Sequence, residues 1–279
     1  MAHSHFDAAP ILVLGANGKT GRRVADRLRK QGLDVRACAR STQPRFDWND
    51  RMTWSAALEG VKRAYVTYQP DLAMPGALDT VSAFFDAALT SGVELIVLLS
   101  GRGEEEAQAA EVALQRSGAS WTILRCSWFM QNFSESFLLD SIRAGTLALP
   151  VTDIREPFVD AEDIADAAVA ALTQPGHESR LYELTGARAI TFAEALECIA
   201  KASGREVRLA PVSPDVFRAG LLEAGVSKPE IDLILYLFTT VLDGRNEKPA
   251  DGVCAALHRE ARSFEDYAMQ AAASGAWDI

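Results

Sequence analysis

ILVLGANGKTG, residues 11–21, is the stretch that decides the fold of this chain. Its first four residues are apolar and read as a short buried strand. The next seven place Gly15, Gly18 and Gly21 at G-x-x-G-x-x-G spacing. Glycine lets the backbone turn sharply and come close to an anion. The helix predicted over 19–31 would present its N-terminal N–H groups and positive dipole to the same point. Val24 and Leu28, four apart, give that helix one apolar face, and Gly32 closes it. Strand, glycine turn and helix together open a βαβ unit whose loop cradles the pyrophosphate of a dinucleotide. Lys19 is not the lysine of a nucleoside-triphosphate loop, because the G-x-x-x-x-G-K-[ST] spacing is absent.

Outward from the loop, strand and helix alternate. DVRACA (34–39) and RAYVTY (63–68) read as strands. The segment 77–92 puts Leu78, Val81, Phe85 and Leu89 on one helical face before Gly92. VELIVLLS (93–100) follows, then a helix over 104–117 closed by Gly118, then WTILR (121–125). Strands this apolar, separated by amphipathic helices, predict a doubly wound (Rossmann) α/β fold with a parallel sheet covered on both faces. After Phe133 the alternation loosens, and Pro150, Pro157, Pro175, Pro211 and Pro214 punctuate shorter elements. We expect a dinucleotide-binding domain over 1–150, its sheet completed by parts of 151–190, and a smaller C-terminal α/β lobe for substrate, mainly helical over 191–279. Capping boxes stand at Thr191/Glu194 and Ser227/Glu230. The helix after Ser227 is apolar nearly all round (Ile231, Leu233, Ile234, Leu235, Leu237, Phe238, Val241), which predicts burial on more than one side.

Composition narrows the function. The chain has 279 residues, 48% of them hydrophobic, and a formal charge of −10. It is long enough to bury a core, and its acidic balance disfavours nucleic acid. Cys38, Cys126, Cys198 and Cys254 have no paired spacing, as in a reduced cytoplasmic compartment. His3, His5, His177 and His258 are scattered, and no metal site is expected. MAHSHFDAAP lacks the apolar core of a secretory signal. The most apolar helical stretch, IDLILYLFTTVL, has about twelve residues, too few to span a bilayer. We therefore expect a soluble monomer or homodimer acting on a small molecule, with no membrane or nucleic-acid partner.

The end of the second strand bears on which dinucleotide binds. An Asp or Glu there would hold the ribose 2′-hydroxyl of NAD. Here the sequence is ACARST, with Arg40 and Ser41 in that place. A guanidinium matches a 2′-phosphate through a charge-assisted contact, which favours NADPH over NADH.

GANGKTG, ACARS, WTILRCSWFMQNF and PFVDAEDIA resemble the NmrA-like branch of the atypical short-chain dehydrogenase/reductases. FDW, SWFMQNFSESFLLD and LDGRN are similar to bacterial relatives of the fungal ergot-alkaloid reductases (agroclavine and festuclavine dehydrogenases), which reduce a cyclic iminium carbon. The resemblance implies that Gly15, Asn17, Gly18, Lys19, Thr20 and Gly21 hold the pyrophosphate, and Arg40 and Ser41 the 2′-phosphate. It implies that Tyr68, Gln69 and Pro70 line the channel from adenosine to nicotinamide, and that Ser100, Gly101 and Arg102 flank the nicotinamide ribose. Cys126 and Ser127 would form the nicotinamide wall, and Trp128, Phe129, Met130 and Phe133 the substrate pocket beyond it. Asp153 belongs to a charged loop with Arg155 and Glu156 that would gate or polarise the substrate, although such a loop also reads as simply solvated. Asp160 and Asp163 read as helix caps, and the acidic run 104–106 as a helix start stabilised by the macrodipole.

The resemblance also raises a chemical question. In extended short-chain reductases the strand holding Ser100 is followed by Tyr-x-x-x-Lys, whose tyrosine protonates an alkoxide. Alignment through ASWTILR and Glu111 puts those positions at Gly103 and Ala107, neither of which can ionise. An iminium carbon accepts hydride to give a neutral amine with no acid needed, and quinones make similarly modest demands. The first reading is an NADPH-dependent reductase of such acceptors, with Ser100 orienting a ligand. The second is an inactive NADP(H)-binding redox sensor that regulates a partner protein. The third is an isomerase or lyase using the nucleotide transiently.

Overall fold

A computed structural model describes residues 9–151 and 153–278. His3, His5 and the rest of residues 1–8 of the leader read above lie outside the described residues. The elements run β1 (Ile11–Leu14), α1 (Lys19–Lys30), β2 (Val35–Cys38), α2 (Trp54–Leu58), β3 (Arg63–Val66), α3 (Ala77–Thr90), β4 (Leu95–Gly101), α4 (Glu105–Arg116) and β5 (Ser120–Cys126). Then come α5 (Leu139–Arg143), β6 (Thr146–Leu149), β7 (Arg155–Glu156), α6 (Ala161–Thr173), β8 (Arg180–Leu184), β9 (Ile190–Thr191) and α7 (Phe192–Ser203). The chain ends with β10 (Arg208–Pro211), α8 (Pro214–Glu223), α9 (Lys228–Tyr236), α10 (Gly252–Leu257) and α11 (Phe264–Ala273).

The chain forms two compact units that interleave in sequence. Unit one reaches to Cys126 and takes in Ala161–Glu183 and Gly252–Arg259; unit two comprises Ser127–Asp160, Leu184–Asp251 and the segment from Glu260 on. The boundary expected near residue 150 therefore falls inside unit two, and 252–259 belong to unit one.

Unit one carries the six-stranded sheet, in the order β2-β1-β3-β4-β5-β8. The pairs β1/β2, β1/β3, β3/β4 and β4/β5 are parallel. Chain order reverses at β1, whose neighbours are β2 and β3, so the crevice beyond the carboxyl ends of β1 and β3 is the switch point where such sheets bind ligands. Alternate residues of the strands (Leu12, Leu14, Ile96, Leu98) pack with Val81, Phe84 and Phe85 of α3 and Leu114 of α4. Each such buried side chain contributes about 1.5–3 kcal/mol. Helix α6 is buried over most of its length and packs on α1. There Arg23 Nε meets Glu162 Oε1 at 2.6 Å and Arg27 Nε meets Asp166 Oδ1 at 2.7 Å. Asp163, fully buried, pairs with Arg259 at 2.7 Å, a stronger tie than the cap expected of it.

Unit two has a core of aromatic rings. Phe133 lies 5.3 Å from both Phe158 and Phe264, and Trp277 Nε1 donates to the Phe133 carbonyl at 2.9 Å. β6 pairs with β10 in parallel and β7 with β9 antiparallel. The capping box at α7 forms: Glu194 N–H donates to Thr191 Oγ1 at 3.1 Å, and Thr191 N–H to Glu194 Oε2 at 2.7 Å. At α9 the expectation of burial on more than one side is corrected. Only Ile231 and Leu235 are buried there, and the following π-helical segment Leu237–Val241 buries Phe238 and Val241. The wide turn keeps those two rows on the core side and leaves Leu233, Ile234 and Leu237 half-covered. Among the described residues no helix is long and apolar enough to cross a membrane.

Candidate active site

The glycine loop in unit one is built for a close approach. Gly15 has φ +62°, a left-handed conformation that glycine adopts without strain. A Cβ on it would lie 2.5 Å from Thr67 Cγ2, just past the end of β3. Gly18 N–H donates to the Gly15 carbonyl at 2.8 Å and closes the turn. A Cβ on Gly18 would stand 3.1 Å from that oxygen, and one on Gly21 would collide with it. Gly18 is the N-cap of α1 and contributes no side-chain cap, and no acidic residue occupies the first turn. Lys19 and Thr20 are the first residues of the helix. The loop thus fits a pyrophosphate: small, strained where only glycine is strain-free, and at the positive end of a helix with no competing carboxylate.

The turn after β2 lies beside it. Asn17 Nδ2 donates to Ser41 Oγ at 3.0 Å, joining the glycine loop to the turn after β2. Arg40 is exposed and makes no ion pair among the described residues, so its guanidinium is available to a phosphate. Tyr68 packs against Trp48, ring centroids 4.9 Å apart, and Trp48 Nε1 donates to the Thr67 carbonyl at 3.3 Å. The FDW triplet is thereby explained as an aromatic buttress under the β3 end. Gln69 reaches the loop, its Nε2 lying 3.7 Å from where a Gly18 Cβ would be, and Pro70 is exposed beside it.

At the end of β4 the side chains form a charged chain. Ser100 and Glu111 are 5% and 2% exposed, and Ser100 Oγ donates to Glu111 Oε1 at 2.6 Å. Arg125 clamps the same carboxylate, donating from Nε to Oε1 at 2.9 Å and from Nη2 to Oε2. Its Nη1 donates to Glu183 Oε1 at 3.1 Å, and Glu183 Oε2 pairs with Arg102 Nε at 3.3 Å. The Glu111 contact raises the Arg125 guanidinium further above its ordinary range, and Glu183 adds to it. Arg102 N–H donates to the Cys126 carbonyl at 2.9 Å, so Ser100, Gly101, Arg102 and Cys126 meet across β4 and β5. The Cys126 thiol is pushed well up by complete burial, with the Glu104 charge adding.

Sequence reasoning missed Glu104. Taken as part of an acidic helix start stabilised by the macrodipole, it is instead 8% exposed, with its carboxyl turned back over Gly101 and hydrogen-bonded to Asp71. Burial, then the charge of Asp71, hold that carboxyl protonated well above the usual carboxylate range. Asp71 is anchored in turn by the Ala73 N–H at 2.8 Å. Gly103 takes φ +80° and Ala107 is fully buried.

The residues expected around the substrate lie in unit two, and they separate. Ser127 Oγ donates to the Pro157 carbonyl at 2.6 Å and is structural in its contacts. Met130 and Phe133 are 1% and 0% exposed and belong to the aromatic core. Trp128 and Phe129 remain half-exposed. Trp128 is held edge-on by Phe238 at 4.8 Å and by Phe192 at 6.0 Å, and its backbone N–H donates to Glu156 Oε1 at 3.3 Å. Asp153 is exposed, whereas Glu156 in the same charged run is 1% exposed, so the loop is not uniformly solvated.

A glycine loop of this build, at the switch point of a doubly wound sheet, is that of a dinucleotide-dependent oxidoreductase. The NAD(P)H-binding family profile matches residues 15–175, and the NmrA-like family profile matches 105–268. The chain belongs to the NmrA-like family, within the atypical short-chain dehydrogenase/reductases that use NAD(P)H. Agroclavine dehydrogenase of Claviceps fusiformis is 31% identical over 92% of this chain and 95% of its own. NAD(P)H azoreductase of Xenophilus azovorans is 29% identical over 95% and 99%. The Citrobacter sp. triphenylmethane reductase complexed with NADP(H) superposes with a TM-score of 0.73 at 22% identity, covering 94% of this chain and 99% of that one, a likeness of fold.

Proposed function

We propose that the protein is an NADPH-dependent reductase of a small electron-poor acceptor, with a cyclic iminium the class that fits best and quinone-like compounds next. The glycine loop would hold the pyrophosphate, Arg40 and Ser41 the 2′-phosphate, and Tyr68 and Gln69 the span between. When bound, NADPH supplies the hydride.

One observation carries the choice of acceptor: the only proton on Ser100 is given to Glu111. With Gly103 and Ala107 at the dyad positions, and the protonated Glu104 carboxyl hydrogen-bonded to Asp71, none of these described residues offers a free proton to an alkoxide. An acceptor that already carries positive charge has no such need. The iminium reading is also supported by agroclavine dehydrogenase among the relatives. Trp128 and Phe129 are the residues we assign to the acceptor, because an aromatic face attracts a flat cation.

The experiment is loss of NADPH absorbance against a panel of cyclic imines, quinones, and azo and triarylmethane dyes. Turnover strongest with a cyclic iminium supports the reading. Tight NADPH binding with no turnover of any member would overturn it in favour of a nucleotide sensor.

A further inference from the structure

The loop between β3 and α3 faces the glycine loop inside unit one: Gln69 Nε2 lies 3.7 Å from where a Gly18 Cβ would stand. Two residues on, Asp71 turns the chain. Its Oδ1 accepts the Ala73 N–H at 2.8 Å, and its carbonyl accepts the Met74 N–H at 3.1 Å. The Asp71 carboxylate also meets the carboxyl of Glu104, the N-cap residue of α4 just past the end of β4. A Cβ on Gly101 would occupy the place of that Glu104 carboxyl, so the strand end is shaped to let the side chain fold back. Two carboxyl groups hydrogen-bond to each other only with a proton between them, and two ionised ones repel. The charges acting on Glu104 are those of Asp71, Glu106 and Glu111, all negative, and the buried Cys126 thiol of β5 is its other titratable neighbour. The cations at these strand ends pair elsewhere, Arg102 with Glu183 and Arg125 with Glu111 and Glu183.

We propose that Asp71 and Glu104 are a positioning pair: one shared proton clasps the β3–α3 loop to the end of β4 and holds Gln69 against the glycine loop, in the form that takes the dinucleotide. This rests on the dinucleotide reading of the crevice and not on the identity of the acceptor. Burial, then the Asp71 charge, raise the Glu104 carboxyl well above the usual range. Asp71 is raised by burial too, but the Ala73 N–H and Glu104 oppose the rise, so the proton sits on Glu104. The clasp is therefore shut at low pH and opens as pH rises through the elevated range of Glu104. Opening frees the loop and weakens nucleotide binding.

The test reads the loop and the nucleotide separately. In the ligand-free wild type, amide hydrogen exchange across 67–76, corrected for intrinsic rates, should show protection that falls as pH rises from mildly acidic to alkaline. Glu104→Gln still donates to Asp71 through its amide and cannot ionise, so its loop should stay protected throughout. Asp71→Ala offers Glu104 no acceptor, and its loop should be unprotected at every pH. The Kd of NADPH, by calorimetry, should follow the same pattern. It should rise about three- to tenfold with pH in wild type, the scale of one hydrogen bond, stay tight in Glu104→Gln and stay weak in Asp71→Ala. NADH lacks the titrating 2′-phosphate, so the same profile with NADH assigns the proton to the protein. A Glu104→Gln profile that falls like wild type, a flat wild-type profile, or Asp71→Ala binding as tightly as Glu104→Gln would each overturn the proposal. Glu104→Gln carries the test by itself if Asp71→Ala does not fold. A wild type that shows the exchange pattern but binds neither nucleotide would instead overturn the dinucleotide reading, and with it the role in binding.

Discussion

Asn17 donates from Nδ2 to Ser41 Oγ at 3.0 Å, and this bond ties the glycine loop to the turn that carries Arg40. The two ends of the expected nucleotide path are thus set relative to each other before any ligand arrives. Arg40, exposed and without an ion pair among the described residues, gives up no existing contact to meet a phosphate. Arg40→Ala should raise the Kd of NADPH about tenfold or more, the scale of a charge-assisted contact, and leave NADH nearly unchanged. Isothermal titration with both cofactors decides it, and equal wild-type affinities would contradict the assignment.

Gly21 faces the Gly15 carbonyl so closely that a single methyl would collide with it. Gly21→Ala should shift the loop backbone and cost roughly 1–3 kcal/mol of stability, typical of overpacking against groups that cannot yield. Binding of NADPH and NADH should fall together, since the pyrophosphate is common to both. A variant with normal melting and normal binding would show that the loop has slack.

Glu104 gives a pH dependence of stability with a definite sign. Its carboxyl titrates well above the ordinary range in the fold, raised by burial and by the Asp71 charge. The native state therefore holds this proton more tightly than the unfolded chain does. The stabilisation is complete below the ordinary carboxylate range and is lost as pH rises toward the elevated value. Glu104→Gln, which cannot ionise, should raise the melting temperature relative to wild type, and by more in mildly alkaline than in mildly acidic buffer. Thermal melts across that span would show the opposite trend if the group were ionised in the fold.

Trp128 is half-exposed but braced by Phe238 and Phe192, so its ring is pre-set for a flat partner. Trp128→Ala should raise KM for a cationic acceptor by about three- to thirtyfold, the scale of a cation–π contact, with NADPH affinity unaltered. Phe133→Ala should instead destabilise the fold by about 3–5 kcal/mol, because Phe133 is a fully buried core ring. Steady-state kinetics on the first and melts on the second separate the two roles.

Much of unit one was legible in the sequence because its signals are local. The apolar run 11–14, the glycine spacing after it, and the four-residue periodicity of α1 and α3 each report a short segment's own geometry. The capping box at Thr191 and Glu194 is local in the same way. The charged chain from Ser100 to Arg102 was not legible: Glu111, Arg125 and Glu183 come from separate elements, and nothing in one segment names its partner in another. Glu104 was misread for a related reason. Its neighbours Glu105 and Glu106 are exposed as a helix start predicts, and only the turn over Gly101 buries the first of the three. The run SWFMQNF mixes two half-exposed rings with two core residues, because a 3-10 turn at Met130–Phe133 has no periodicity long enough to show which side faces in.

The central claim is that hydride transfer here needs no proton from the protein. Its most direct test is single-turnover oxidation of NADPH by a cyclic iminium, followed by stopped flow from mildly acidic to mildly basic pH. Wild type, Ser100→Ala and Glu104→Gln would be run side by side with enzyme saturated in NADPH. The account predicts a transfer rate nearly flat with pH until the iminium itself deprotonates, in all three proteins. A rate that follows an enzyme ionisation in wild type and drops 10²–10⁴-fold in either variant, the cost of losing a general acid, would contradict it.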